Sequence, residues 1–302
     1  MTRARGARGR AVGRGCGVGL AGRRLFLVAS VALLAVVVRP GRAAADPDSS
    51  GHDASSAVAT IDAGDTREDI AKDVLNPFST SVKLTLQSMT GFRIGPRQAV
   101  GENLAFQPVV PVPAGEDWTV IVQPLLAGEY LPSPGAVTGL QDFQTSVFLT
   151  PAQTGAWVWG AGPILQFPSA TDDALGTGKW SGGPTGAVIY SAGPWVNGVL
   201  VSHLASFAGD AHRTSVNLTS IEAQLSYTFD SGWYVQTNPT LSYDWQGRAW
   251  TIPVGADVGT AFSIGSQAMT VQLGAYDLVA RPAGDPSWVL RAEATLVFPV
   301  GS

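Results

Sequence analysis

The sequence predicts an all-β fold, an antiparallel up-and-down transmembrane β-barrel of about twelve strands with a short N-terminal helix. Composition is the first reason: of 302 residues 45% are apolar and only 14% charged, with 36 Gly and 20 Pro, while mean hydropathy is just +0.15. Such hydrophobicity excludes disorder, and apolar residues scattered among turn formers exclude a bundle of membrane helices. The second reason is a period of two from Ser79 onward, the mark of strands. The third is the placement of the nine Trp, none of which falls in the middle of a strand.

The alternation is clearest at residues 233–244. There Trp233, Val235, Leu241 and Tyr243 share one parity, and Gln236, Asn238, Thr240, Ser242 and Asp244 the other. The same division separates Val82, Leu84 and Leu86 from Lys83, Thr85 and Gln87, and Ile221, Ala223 and Leu225 from Glu222, Gln224 and Ser226. It recurs with Val254, Ala256 and Val258 against Gly255 and Asp257, and with Leu290, Ala292 and Leu296 against Arg291, Glu293 and Thr295. Twelve strands follow, near residues 79–88, 103–111, 117–126, 140–150, 157–167, 180–190, 195–206, 216–229, 232–244, 249–260, 267–280 and 287–298. Their connections alternate between longer or polar ones (89–102, 127–139, 168–179, 207–215, 245–248, 281–286) and tight ones (112–116, 151–156, 191–194, 230–231, 261–266). That asymmetry matches barrels with short periplasmic turns and longer external loops. Trp118, Trp157, Trp159, Trp195 and Trp233 fall at the tight-turn ends, and Trp180, Trp245, Trp250 and Trp288 at the other, where an amphipathic ring meets the headgroup level. A soluble sandwich has no use for such girdles. Pro108, Pro163, Pro239 and Pro253 inside strands point to bulges.

Residues 1–24 carry seven Arg and no acid, and residues 25–38 (LFLVASVALLAVVV) are uninterruptedly apolar. That run is short for a spanning helix, which needs about 20 residues, and Ala43 and Ala45 stand before Asp46 as a small-residue cleavage site. Residues 1–45 therefore read as a cleaved export signal, with an uncleaved anchor as the alternative. After residue 45, ten Lys and Arg face 23 Asp and Glu, a formal charge of −13, which argues against nucleic acid as a partner. The one cysteine, Cys16, leaves with the signal, so no disulfide or thiolate chemistry is expected. Residues 46–78 form a flexible leader with one amphipathic helix at residues 66–75 (TREDIAKDVL), capped by Thr66 and stopped at Asn76-Pro77. This helix serves either as a spacer or as a plug at the barrel rim. Residues 79–302 form the barrel.

Asn76-Pro77, residues 139–144 (GLQDFQ), 169–180 (SATDDALGTGKW), Gly183-Pro184-Thr185, Gly193-Pro194-Trp195, Ala208-Gly209-Asp210, Tyr243-Asp244-Trp245 and Phe298-Pro299 resemble a family of bacterial outer-membrane barrels. Its members are often labelled only "transporter", are sometimes misnamed neuromedin U, and are related to barrels encoded beside phenol meta-cleavage pathways. The resemblance covers roughly residues 70–299, and its most specific part runs from Thr171 to Trp180. It implies an outer-membrane location and passive uptake. Phe298 is followed by Pro299 to Ser302 instead of closing the chain, a departure from the terminal aromatic by which such barrels are recognised by the assembly machinery.

Catalytic and metal-binding patterns are weak. His203, Ser206 and Asp210 supply the residue types of a lipase triad, but His and Ser stand three positions apart, which puts them on opposite strand faces. Asp172 and Asp173, with Lys179 and Asp210, belong to external loops, and two adjacent acids fall short of a calcium loop. The stretch Gly176 to Trp180 fails as a phosphate loop, and residues 217–219 (NLT) are a chance sequon. No enzyme activity, metal or cofactor is expected. Lys83, Glu222, Asp257, Arg291 and Glu293 all fall on the polar parity. A charge facing lipid at mid-depth costs about 2–4 kcal/mol, so these five should line the lumen, either as a selectivity filter or as a salt-bridged filling. The expected protein is an outer-membrane channel for passive passage of small solutes, apolar ones included. An outer-membrane enzyme acting on lipid and a sealed structural or adhesion barrel are the alternatives. The expected partners are outer-membrane lipid and lipopolysaccharide, the barrel-assembly machinery and the solutes.

Overall fold

A computed structural model describes residues 66–132, 135–152 and 155–298. The expected export signal, residues 46–65 of the leader and the chain end after Phe298 lie outside the described residues. The chain enters through helix α1, Arg67–Leu75, whose N-cap is Thr66. Its capping box is reciprocal: the Asp69 N–H donates to Thr66 Oγ1 at 3.2 Å, and the Thr66 N–H donates to Asp69 Oδ2 at 3.1 Å. Lys72 and Glu68 form an i,i+4 pair across one turn.

Fourteen strand segments follow, and they form a closed antiparallel barrel of 12 strands. In chain order they are β1 (Val82–Ile94), β2 (Ala99–Pro113), β3 (Trp118–Leu131), β4 (Val137–Leu140), β5 (Phe143–Pro151), β6 (Trp157–Phe167) and β7 (Lys179–Ala192). They continue with β8 (Trp195–Gly209), β9 (Asn217–Thr228), β10 (Trp233–Thr237), β11 (Thr240–Asp244), β12 (Ala249–Ile264), β13 (Gln267–Ala280) and β14 (Trp288–Phe298). Each of the twelve barrel strands pairs with its neighbour in sequence, and β1 pairs with β14 from Val82↔Phe298 to Phe92↔Trp288, which closes the ring. Two barrel strands are split in two: β4 and β5 flank Gln141-Asp142, and β10 and β11 flank Asn238-Pro239.

Two expected loops are mostly strand. Residues 89–102 contain only a four-residue turn at 95–98, and β3 runs on to Leu131. The pattern misleads here because Ser88, Thr90 and Glu102 share the outward parity of Leu84, Leu86 and Phe106. Hydrogen bonds from Ser88 Oγ (2.5 Å) and Thr90 Oγ1 (2.7 Å) to the Glu102 carboxylate make a polar cluster tolerable on that face. Lys179, expected in a loop, is the first residue of β7.

The register inverts the usual distribution of polarity. Outward positions hold the exposed apolar side chains, among them Phe106, Leu126, Val188, Leu225, Val258 and Leu273, while Gln123, Thr185, Gln236, Asp257, Gln272 and Thr295 are buried inside. The Trp residues stand at strand ends: Trp118, Trp157, Trp195 and Trp233 open strands at one end of the barrel, and Trp288 opens β14 at the other. We call these the turn end and the loop end. Only a membrane makes an apolar exterior favourable.

The four expected bulge prolines behave differently. Pro253 sits at a register shift between β12 and β13, and Pro239 separates β10 from β11. Pro108 lies in a continuous β2. Pro163 of β6 faces Pro184 of β7, and each lacks the N–H its other neighbour needs. The carbonyl oxygens of Val147 and His203 accordingly lie 1.9 Å from where Cβ atoms of Gly162 and Gly183 would stand, so a side chain is excluded at each glycine. Replacing Gly162 or Gly183 by Ala should therefore destabilise the barrel by about 1–3 kcal/mol, read as a lower urea midpoint. Gly186→Ala, whose nearest neighbour would be an ordinary 3.5 Å away, should leave the midpoint unchanged.

Candidate functional site

The interior has two zones. At the turn end, Val109, Ile121, Phe148, Val158, Ile189, Val196, Tyr234, Ala261, Ala268 and Val297 point inward, each from a different strand, and form an apolar belt. Ile70, Ala71 and Leu75 of α1, with Phe78 behind it, belong to the same cluster. The helix is therefore a plug inside the barrel. Its periodicity buries Ile70, Ala71 and Leu75 on one side, and Phe78 meets Phe148 edge-on at 5.4 Å and presses on Gly160. Each large apolar side chain so buried contributes roughly 1.5–3 kcal/mol.

Polar contacts to the wall hold the C-terminal end of the plug. The Lys83 ammonium, buried in the wall at 2% exposure, donates to the Asp73 carbonyl at 2.7 Å and to the Asn76 carbonyl, and Gln224 Nε2 donates to the Leu75 carbonyl at 2.8 Å. These are the carbonyls a helix C-terminus leaves open, and a cation there also opposes the negative end of the helix dipole. At the other end, hydrogen bonds from Thr66 hold the Asp69 carboxyl below its usual range. Above the plug, Pro77, Gln107, Gln123, Leu200, Glu222 and Gln224 line a cavity of about 130 Å³.

The second zone is a hydrogen-bonded polar wall on β9 to β14 and β1. Arg291 forms an ion pair with Asp257, donating through Nε at 2.9 Å and through Nη2. Tyr276 Oη donates to Asp257 Oδ2 at 2.5 Å and accepts from Arg291 Nη2 at 2.8 Å, while the guanidinium lies 4.7 Å from the Tyr276 ring centre. Gln87 Nε2 donates to Glu293 at 2.8 Å. Gln236 and Tyr234 both donate to Gln272 Oε1, at 2.7 and 3.1 Å. Nearer the loop end, Asn103 donates to Gln141, which donates to Glu129 at 2.5 Å.

The structure thus places Lys83, Glu222, Asp257, Arg291 and Glu293 on the inner face, but gives them different partners. Lys83 fastens the plug, Asp257 and Arg291 satisfy each other, and among the described residues Glu222 and Glu293 accept hydrogen bonds only from neutral side chains, with the Arg291 charge acting on both from farther away. Tyr276, Gln272 and Gln236, which complete the network, share one inward parity with Tyr234 and Thr270. The parity of residues 267–280 was the signal for Gln272 and Tyr276, weakened by Gly274 and Ala275 in mid-strand.

The remaining expected residues lie at the loop end. The Asp172 carboxylate accepts from the Ala174 N–H in a local turn, and Asp173 offers its carbonyl to Arg213, which also bonds the Gly176 and Thr177 carbonyls. Lys179 Nζ donates to the Asp210 carbonyl at 2.5 Å, and hydrogen bonds from His212 lower the Asp210 pKa. Asp142, freed by the break between β4 and β5, accepts from the Ala170 and Thr177 N–H groups and fastens the 168–178 loop. His203 pairs with Thr219 on the outward face, its Nδ1 2.9 Å from Thr219 Oγ1. Ser206 Oγ accepts from the Val216 N–H. His203, Ser206 and Asp210 thus engage separate partners and form no triad, and among the described residues no cluster of metal-ligating side chains occurs.

The crystal structure of an outer-membrane channel from Pseudomonas putida is similar in fold, with a TM-score of 0.57 at 15% identity over 72% of this chain and 96% of that one. Outer membrane phospholipase A from Escherichia coli (TM-score 0.40, 12% identity, 77% of this chain and 98% of that one) and a Pseudomonas aeruginosa FadL homologue (0.38, 8%, 78% and 92%) fall below the similarity at which a shared fold carries meaning. No family model and no curated protein matches the chain.

Because Asp257 is fully enclosed and Arg291 is its cation, Arg291→Met should destabilise the barrel by about 3–5 kcal/mol, whereas Arg291→Met with Asp257→Asn should recover much of that loss. A double-mutant cycle on urea unfolding checks the coupling.

Proposed function

We propose that this protein is an outer-membrane channel for passive passage of small solutes, apolar ones included, closed at its turn end by the N-terminal helix. The observation that carries the proposal is a membrane-type barrel with a polar lumen, occluded by nine helical residues that no strand pairing ties to the wall. The fold shared with the Pseudomonas putida channel supports the reading, as does the resemblance to barrels encoded beside phenol meta-cleavage pathways, which favours aromatic or other apolar cargo. A solute passes when α1 tilts or withdraws; the break at Asn76-Pro77 supplies the hinge, and Lys83 and Gln224 are the latches released.

The wall above the plug carries more acid than base. Asp257 cancels Arg291, and among the described residues Glu129, Glu222 and Glu293 have no cation within hydrogen-bond reach. Carboxylates lining a pore favour cations.

Single-channel recording of the exported chain in planar bilayers tests both parts. The parent protein should show small or infrequent openings, and Lys83→Met with Leu75→Asp should raise the open probability about tenfold or more, since losing one latch and one apolar contact removes at least about 1.4 kcal/mol. Silence from both proteins, each shown to be folded, would mean a sealed structural barrel. In the open state, Glu222→Gln with Glu293→Gln should shift the reversal potential in a salt gradient toward that of a non-selective pore. An unchanged potential would remove these residues as the filter.

A further inference from the structure

The turns on one side of the loop end contain an unusual concentration of arginine. Arg93 and Arg97 belong to the end of β1 and the 95–98 turn, Arg248 to the 245–248 turn, and Arg281 to the 281–287 loop; these are four of the ten Lys and Arg after residue 45. The three connections are adjacent around the rim, since β12, β13, β14, β1 and β2 follow one another in the sheet. An open groove of about 740 Å³ runs between these connections, lined by Arg93, Arg281, Asp285, Gln98, Trp250 and Val279 among others, with Arg97 and Arg248 next in sequence to lining residues at its edge.

The cations there are largely unspent. Among the described residues, Arg93, Arg97 and Arg248 have no carboxylate and no side-chain hydrogen-bond partner, whereas Arg281 donates to the Leu278 carbonyl and Ser287 Oγ. Two of the neighbouring acids are engaged: Glu102 accepts from Ser88 and Thr90, and Asp244 holds the Gln246 N–H. Asp285, in the groove lining, acts on Arg281 from beyond ion-pair distance, and Asp277 is exposed. Arg93, Gln98 and Arg248 also hold left-handed backbone conformations, with φ of 59°, 51° and 51°, and they are the only non-glycine residues to do so among those described. Such strain persists where the surroundings have a use for it.

The floor of the groove is continuous with the lipid-facing wall. Trp250 and Val279 are 46% and 61% exposed and point outward, and just below the rim Phe92 stacks on Trp288 at 4.0 Å. Unpaired guanidinium groups above an apolar, aromatic surface suit an anion that carries its own hydrocarbon, because the phosphate meets planar donors while the chains continue down the wall. We infer that this groove binds the phosphorylated headgroup of a glycolipid of the surrounding leaflet. The inference rests on the outer-membrane reading above, which puts the loop end among such headgroups.

Native mass spectrometry of the refolded exported chain with lipid A tests it. The parent protein should retain bound lipid A. Arg93→Gln with Arg248→Gln and Arg281→Gln should bind it about tenfold or more weakly, and Arg281→Gln alone, at a position of ordinary backbone conformation, should weaken it in the same direction. Excess inorganic phosphate should not displace the lipid. Equal lipid A retention by the parent and both variants would overturn the proposal, as would displacement by phosphate, which would make the groove a site for soluble anions. Heat-modifiable migration and bilayer insertion of the same samples separate the two levels: inserted barrels with unchanged binding refute the groove alone, and failure of the parent to insert refutes the membrane reading with it.

Discussion

Everything in this molecule depends on the ladder between β1 and β14. Lipid offers no hydrogen bonds, so a sheet can face it only if no edge remains, and the eleven residue pairs from Val82↔Phe298 to Phe92↔Trp288 remove the last one. Closure then sets the chemistry of both faces. The outer face must be apolar, and each charge must either turn inward or, like Glu102, carry its own hydroxyl donors.

Turning charges inward creates a second problem, because a lumen this narrow is part filled by side chains. The chain solves it differently at the two levels. Where α1 sits, the wall is apolar and the helix completes a small core of the ordinary kind, so the plug is held by burial and a few carbonyl contacts. Above it, Asp257, Arg291 and Tyr276 neutralise one another while Gln87, Gln236 and Gln272 share the remaining hydrogen bonds. The first zone is a part that can be withdrawn, and the second is one that must stay in place.

The barrel was legible because a period of two and the Trp at strand ends are local signals. Strand number, alternation of connections and the inward parity of Asp257 and Arg291 all follow from them. The extent of β1 to β3 was not legible, since Ser88, Thr90 and Glu102 put polar residues on the outward parity and mimic a loop. Nor was the role of Lys83. Parity put it inside, but only the fold brings it to the Asp73 and Asn76 carbonyls, ten and seven residues earlier in the chain. The amphipathic pattern of residues 66–75 is equally consistent with a spacer and a plug; what decides between them is the apolar belt, gathered one residue at a time from strands far apart in sequence.

The central claim is that α1 occupies the lumen and closes it. The most direct measurement is the rate at which a cysteine in place of Ala71 reacts with a water-soluble thiol reagent in the bilayer-inserted protein. The exposed Arg67→Cys serves as reference, and any residual signal from Cys16 is subtracted. With Ala71 wholly buried, its cysteine should react at least about a hundredfold more slowly, at a rate set by transient release of the helix. Equal rates at the two positions would contradict the account, because the helix would then lie outside the barrel.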